Sequence, residues 1–126
     1  MTNEELNDLL TTYRRLVGMA VKIVRAPPYN ADVDDDDIET AALTIHGTEV
    51  TLHWFSRGYD DNYMSDRSFP AVLLMQSEEA LDAWVALQTA KAEERRRQDA
   101  ERYKAETEAR ERELFRRLKA KYDRDA

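Results

Sequence analysis

The segment SEEALDAWVALQTAKAEERRRQDAERYKAETEARERELFRRLKAKYDRDA, residues 77–126, decides how the rest of the chain is read. It contains no helix-breaking residue, and the absence extends back to Ala71. All three glycines (Gly18, Gly47, Gly58) and all three prolines (Pro27, Pro28, Pro70) lie earlier. Ser77 is placed as an N-cap, and Glu78, Glu79 and Asp82 complement the positive end of a helix dipole. The predicted helix then has three zones. Leu81, Trp84 and Val85, with Leu87 or Gln88, make an apolar stripe that should pack on a folded body. From Ala90 to Glu113 the surface is polar nearly all round, broken by small alanines (Ala92, Ala100, Ala105, Ala109) and by Tyr103. Glu93–Arg97, Glu106–Arg110, Glu108–Arg112 and Glu113–Arg117 are i,i+4 pairs in the favourable order, each adding roughly 0.2–0.5 kcal/mol. Finally Leu114, Phe115, Leu118 and Tyr122 restore an apolar stripe.

Such a helix would be about 70 Å long, against roughly 30 Å for the diameter of a small domain. The expectation is a helix projecting from its head, with the terminal apolar side chains covered by a second molecule or by the same chain folded back. Ala100, Tyr103, Thr107, Arg110, Leu114 and Leu118 form a poor heptad seam, which favours local association at Tyr103, Leu114, Phe115, Leu118 and Tyr122 over a long two-stranded coil.

Of the 126 residues, 36% are charged, above the roughly 25% usual for soluble domains, and the excess lies mostly in this helix. Residues 1–76 carry 13 acidic and 6 basic side chains, a net −7, whereas residues 77–126 carry 13 of each. An acidic head repels phosphate backbones. The basic knots Arg95-Arg96-Arg97 and Arg116-Arg117 with Lys119 and Lys121 are interleaved with glutamates, which argues against nucleic-acid binding. The absence of cysteine excludes disulfides and thiolate chemistry. The acidic start MTNEELNDLL does not read as a signal peptide, and no apolar run reaches the ~18 residues of a membrane span. The expectation is a cytoplasmic protein without a membrane partner.

The first 76 residues read as a small domain. Thr2 and Glu5 form a capping box, behind which Leu6, Leu9, Leu10, Tyr13, Leu16, Val17, Ala20, Val21 and Val24 recur at helical spacing. This predicts a helix over Asn3–Val24, loosened at Gly18 and ended by Pro27-Pro28. The acidic run Asp32–Asp37 follows as a loop. Period-two alternation on either side of Gly47 predicts a hairpin with Leu43, Ile45, Val50, Leu52 and Trp54 facing the core, turning at His46-Gly47 or at Gly47-Thr48. Arg57–Arg67 reads as a polar loop. Ser68–Met75 is a short apolar run that Pro70 confines to an edge strand or to the first residues of a strand. The fold expected is α+β: an N-terminal helix, a small two- to three-stranded antiparallel sheet, and a long C-terminal helix, divided as a head (1–90) and a charged helix (91–126).

Few residues carry chemistry. His46 falls at the turn and His53 mid-strand, with no third ligand at a recognisable spacing, so neither a metal site nor a cofactor is expected. Asp32, Asp34, Asp36 and Asp37 lack the glycine and closing glutamate of a calcium loop, whose places are held by Asp37 and Leu43. His53, Phe55, Arg57, Tyr59, Tyr63 and Arg67 interleave aromatics with arginines, a composition that can stack a flat ring and hold a phosphate or carboxylate, or form a protein-binding hot spot. No nucleophile elbow or glycine-rich phosphate loop occurs, which leaves His46 and His53 as the sole resource for a small hydrolase.

Ser68-Phe69-Pro70, the acidic helix entry Ser77-Glu78-Glu79 and the terminal run Leu118-Lys119-Ala120-Lys121-Tyr122 together give a layout that resembles a loose group of small accessory proteins of tailed bacteriophages. The resemblance covers most of the chain as architecture and transfers no residue roles. It implies a non-enzymatic protein that acts by binding in the host cytoplasm, engaging a host-defence protein or sequestering a signalling nucleotide. Homo-oligomerisation as a dimer or higher, through the C-terminal helix, fits that role. The alternative is an assembly factor, a scaffold or chaperone, whose long helix is the working part.

Overall fold

A computed structural model describes residues 1–57 and 62–125. The chain divides into two compact units, Met1–Thr89 and Ala90–Ala126. Along it run α1 (Asn3–Arg25), a 3-10 turn (Asp35–Thr40), β1 (Ala42–His46), β2 (Glu49–Arg57), β3 (Asn62–Pro70), a second 3-10 turn (Ala71–Leu74) and α2 (Glu78–Asp125). The α+β class, the N-terminal helix, the antiparallel sheet and the long C-terminal helix are those that the sequence predicts.

In the first unit, α1 begins where Thr2 Oγ1 accepts the Glu5 N–H at 3.1 Å, and Lys22 and Arg25 complement the dipole in its last turn. The helix passes Gly18 without the loosening expected there. Beyond Ala26 the chain reverses. The Ala26 carbonyl accepts the N–H groups of Tyr29 and Asn30, and Asn30 takes the left-handed conformation (φ 48°) that asparagine tolerates. The Ala31 N–H then returns to the Val24 carbonyl, which brings Ala31 and Val33 into the core. The acidic run is more ordered than a loop. Arg25 donates to the Val33 carbonyl at 2.7 Å and to Asp35 at 3.0 Å, and the Asp34 N–H donates to the Asp37 carboxylate. These bonds hold the stretch that enters the first 3-10 turn.

The sheet has the order β1-β2-β3, with β2 central. Its first hairpin turns at Gly47-Thr48, with Gly47 at φ 62°, so that Ile45 pairs with Val50 and Leu43 with Leu52. The later of the two possible turns sets Gly47 at the first central position, where positive φ is needed, and leaves Thr48 free of it; a His46-Gly47 turn would put the non-glycine His46 there. The polar stretch expected as a loop is mostly strand. β3 starts at Asn62 and pairs with β2 along its whole length, from Arg57↔Asn62 to Glu49↔Pro70. Its residues Tyr63-Met64-Ser65-Asp66-Arg67 show no alternation of polarity, so the hydrogen-bonding edge of β2, not periodicity, makes them a strand. Pro70 closes this edge strand at its last position, where a missing donor costs no ladder bond.

The core face of β2 presents Val50, Leu52 and Trp54, all buried, with Phe69 of β3 beside them. Against this face lie Val17, Ala20, Val21, Ile23 and Val24 of α1, and Leu81 of α2 closes the cluster, with Trp84 and Val85 half-buried at its margin. Tyr29 meets Phe69 edge to face at 6.5 Å, and burial, with Glu49 nearby, pushes its phenol pKa up. Trp54 keeps its indole N–H without a partner among the described residues, a cost its buried ring area must offset. Ile45 does not join the core: it is 75% exposed. Sharing a face with Val50 is not enough on an edge strand one residue from the hairpin end, since the covering helix reaches only as far as Leu43, whose N–H donates to the Tyr13 hydroxyl. Leu87 is likewise exposed.

In the second unit, ion pairs line the surface of α2, though not always the pairs that i,i+4 spacing predicts. Arg97 donates to Glu94 at 2.6 Å and to Glu101 at 2.8 Å instead of to Glu93, and Arg112 turns to the Glu108 main-chain carbonyl. Glu113 accepts from Arg117 as expected and also from Arg116. Hydrogen bonding by Arg97 and by Arg116 holds the Glu94 and Glu113 carboxyls below their ordinary pKa.

Two outcomes follow. Leu52→Ala or Phe69→Ala should lower unfolding stability in urea by about 2–5 kcal/mol, whereas Ile45→Ala should stay within about 0.5 kcal/mol of the parent. Because the folded pKa values of Glu94 and Glu113 are depressed, their contribution is complete above the unfolded value of 4.5 and is lost as pH falls through the lower folded value. Helical circular dichroism should therefore decline in acid, and Glu113→Gln should reduce the size of that decline.

Candidate functional site

Of the residues proposed as an arginine–aromatic site, His53, Phe55, Tyr63 and Arg67 divide between the two faces of the sheet. In an antiparallel ladder, directly paired residues point to the same side of the sheet. His53 pairs with Asp66 and Phe55 with Met64, which sets His53 and Phe55 on the outer face. Tyr63 pairs with Ser56 and Arg67 with Leu52, which sets those two at the rim of the core face. Arg57 occupies the last position of β2, and Tyr59 lies outside the described residues. A one-residue difference in parity is enough to divide the group.

The individual contacts agree with that division. His53 Nε2 is 2.8 Å from the Thr44 hydroxyl across the β1–β2 ladder, and Arg67 donates to the neighbouring Asp66 carbonyl at 2.7 Å. Next to them, the hydroxyls of Thr51 and Ser68 lie 2.8 Å apart. The outer face is thus a self-satisfied polar ladder bordered by the partly open Phe55 and Met64. His46 sits beside the hairpin turn, paired with Glu49 and exposed. Among the described residues no three His, Asp or Glu side chains stand together as a metal-binding group, and no helix is long and apolar enough to cross a membrane.

Two other surfaces gather exposed large apolar side chains. On α2, Leu114, Phe115, Leu118 and Tyr122 are exposed (Phe115 by 69%), as is Tyr103 further back. Leu114, Leu118 and Tyr122 follow each other at i,i+4 and Phe115 and Leu118 at i,i+3, so they form one stripe. Tyr103 stands eleven residues before Leu114, and the side chains between them are polar or small. Arg116, Arg117, Lys119 and Lys121 surround the stripe.

The second surface is one that the sequence pattern concealed. Leu6, Leu9, Leu10 and Tyr13 have the spacing of core residues, yet all four are exposed, Leu9 by 55%; the buried part of α1 starts at Val17. Between this half of α1 and the first 3-10 turn lies a hollow of about 620 Å³, bordered by Leu10, Tyr13, Arg14, Val17, Ile38, Glu39 and Ala41. Three leucines in the first two and a half turns of a helix entering so small a domain were the available signal. Periodicity shows which face is apolar but not how far a neighbour covers it.

Comparison of the chain with family models, with curated proteins and with solved structures finds no match. With the arginine–aromatic group divided between two faces, adding a panel of cyclic and linear nucleotides should leave the melting temperature unchanged. A reproducible rise abolished by both His53→Ala and Arg67→Ala would restore a single ligand site.

Proposed function

We propose that this chain is a non-enzymatic binding protein that self-associates through the apolar stripe near the end of α2, and that the assembled form engages a further protein as the accessory proteins of tailed phages do. The observation that carries the reading is the exposure of Leu114, Phe115, Leu118 and Tyr122 on a helix with no other apolar stripe beyond Thr89. A cluster of large apolar side chains rimmed by charge is the composition of an interface hot spot, with Phe115 and Tyr122 as aromatic anchors. Glutamate–arginine pairs around Arg97 support the helix within the polar stretch between Ala90 and Glu113.

The division of the arginine–aromatic group favours a protein over a small flat ligand as the further partner. The acidic run beside the first 3-10 turn offers such a partner an attractive field. The resemblance to phage accessory proteins supports a host-defence protein in that role.

The test is the native mass of the full chain by light scattering at increasing concentration. The expected result is a mass of two or more protomers, with Phe115→Asp/Leu118→Asp weakening association by on the order of a hundredfold or more while helical dichroism is retained. A full chain that stays monomeric overturns the self-association reading.

A further inference from the structure

We infer that the seat for the α2 stripe is the α1 hollow of a second copy: residues Leu114–Tyr122 of one protomer dock along Leu6–Tyr13 of the next, head to tail. This rests on the self-association reading above and names the surface that receives the stripe.

Charge selects this pairing over the others. From Leu114 to Tyr122 the side chains carry four cations (Arg116, Arg117, Lys119, Lys121) and no anion, although Glu113 just before this run pairs with Arg116 and Arg117. Two copies of the stripe packed on each other would bring these cations together, a like-charge juxtaposition that opposes association. From Met1 to Leu10, α1 carries three anions (Glu4, Glu5, Asp8) and no side-chain cation; at the hollow itself Glu39 and Arg14 offset each other, so the acidic field comes from the first turns of α1. The units as wholes follow the same sign. Residues 1–89 hold 16 acidic and 6 basic side chains, a net −10, whereas residues 90–126 hold 10 acidic and 13 basic, a net +3.

Size agrees as well. Leu114 to Tyr122 spans eight helical steps, about 12 Å, and Leu6 to Tyr13 spans seven, about 10 Å. The hollow of about 620 Å³ has room for a side chain such as Phe115, and its apolar wall of Leu10, Val17, Ile38 and Ala41 supplies the contact. The arrangement is a helix laid along an apolar groove, with Phe115 and Leu118 as its anchors. Because the two surfaces differ, the contact is heterologous: each protomer offers one stripe and one hollow, and repetition gives a ring or an open chain.

The test is mutual complementation. One full-length variant carries Leu9→Asp and Leu10→Asp, exposed positions outside the buried cluster; the other carries Phe115→Asp and Leu118→Asp. Each is checked by circular dichroism for retained helix and by light scattering for mass. The expected result is that each is monomeric alone and that an equal mixture gives a species of twice the protomer mass, since one intact stripe then meets one intact hollow. If the α1 variant alone keeps the assembly of the parent while the α2 variant loses it, the stripe associates elsewhere, and this inference falls while the self-association reading stands. If the α2 variant keeps the assembly of the parent, both fall. Should either Asp pair unfold its chain, the charge-reversed variants Glu4→Lys/Glu5→Lys/Asp8→Lys and Arg116→Glu/Arg117→Glu/Lys119→Glu/Lys121→Glu replace them. Loss of assembly in each alone and recovery in the mixture supports the pairing; no recovery overturns it.

Discussion

The C-terminal half of α1 packs against the core face of β2, and the rest of the first unit is arranged around that contact. Val21, Ile23 and Val24 bury themselves against Val50, Leu52 and Trp54, at roughly 1.5–3 kcal/mol for each fully buried side chain. Around it, each element supplies what the contact lacks. The reversal at Ala26–Ala31 returns Val33 to the cluster, β3 adds Phe69, and Leu81 of α2 caps the end. A domain this small has little core to spare, so a helix longer than its partner sheet leaves part of its apolar face uncovered.

That shortage links architecture to function. A three-stranded sheet covered on one side by part of α1 and the first turns of α2 cannot hide nine apolar positions of α1. The half of α1 that contains Leu6, Leu9, Leu10 and Tyr13 is left open, with Glu4, Glu5 and Asp8 in its first turns. The same imbalance recurs in α2, where polar residues and ion pairs satisfy the middle of the helix but not the stripe from Leu114 to Tyr122. In a chain with this much charge, two apolar stripes of opposite surrounding sign are the features that water does not solvate well. Their burial is where a favourable free energy of association is available.

The outer face of the sheet shows how residues with reactive side chains can be satisfied without forming a site. His53 Nε2 with Thr44, and Thr51 with Ser68, hydrogen-bond within the ladder. At the rim of the opposite, core face, Arg67 closes on the Asp66 main-chain carbonyl.

Element identity was legible wherever a local signal carries it. The Thr2–Glu5 cap, the apolar spacing of α1, the alternation around Gly47 and the glycine-free run after Pro70 all act within a few residues, and the helices and the first hairpin follow from them. β3 was not legible, because an edge strand of mixed polarity is made by the ladder it joins, not by its own period. The parity that divides His53 and Phe55 from Tyr63 and Arg67 depended on the pairing of β2 with β3. The exposure of Ile45 and of the first half of α1 depended on where the covering elements stop. Local chemistry determined which segments are helix and which face of each is apolar; only the tertiary arrangement decided which of those faces are buried, because burial belongs to a pair of surfaces and not to either one.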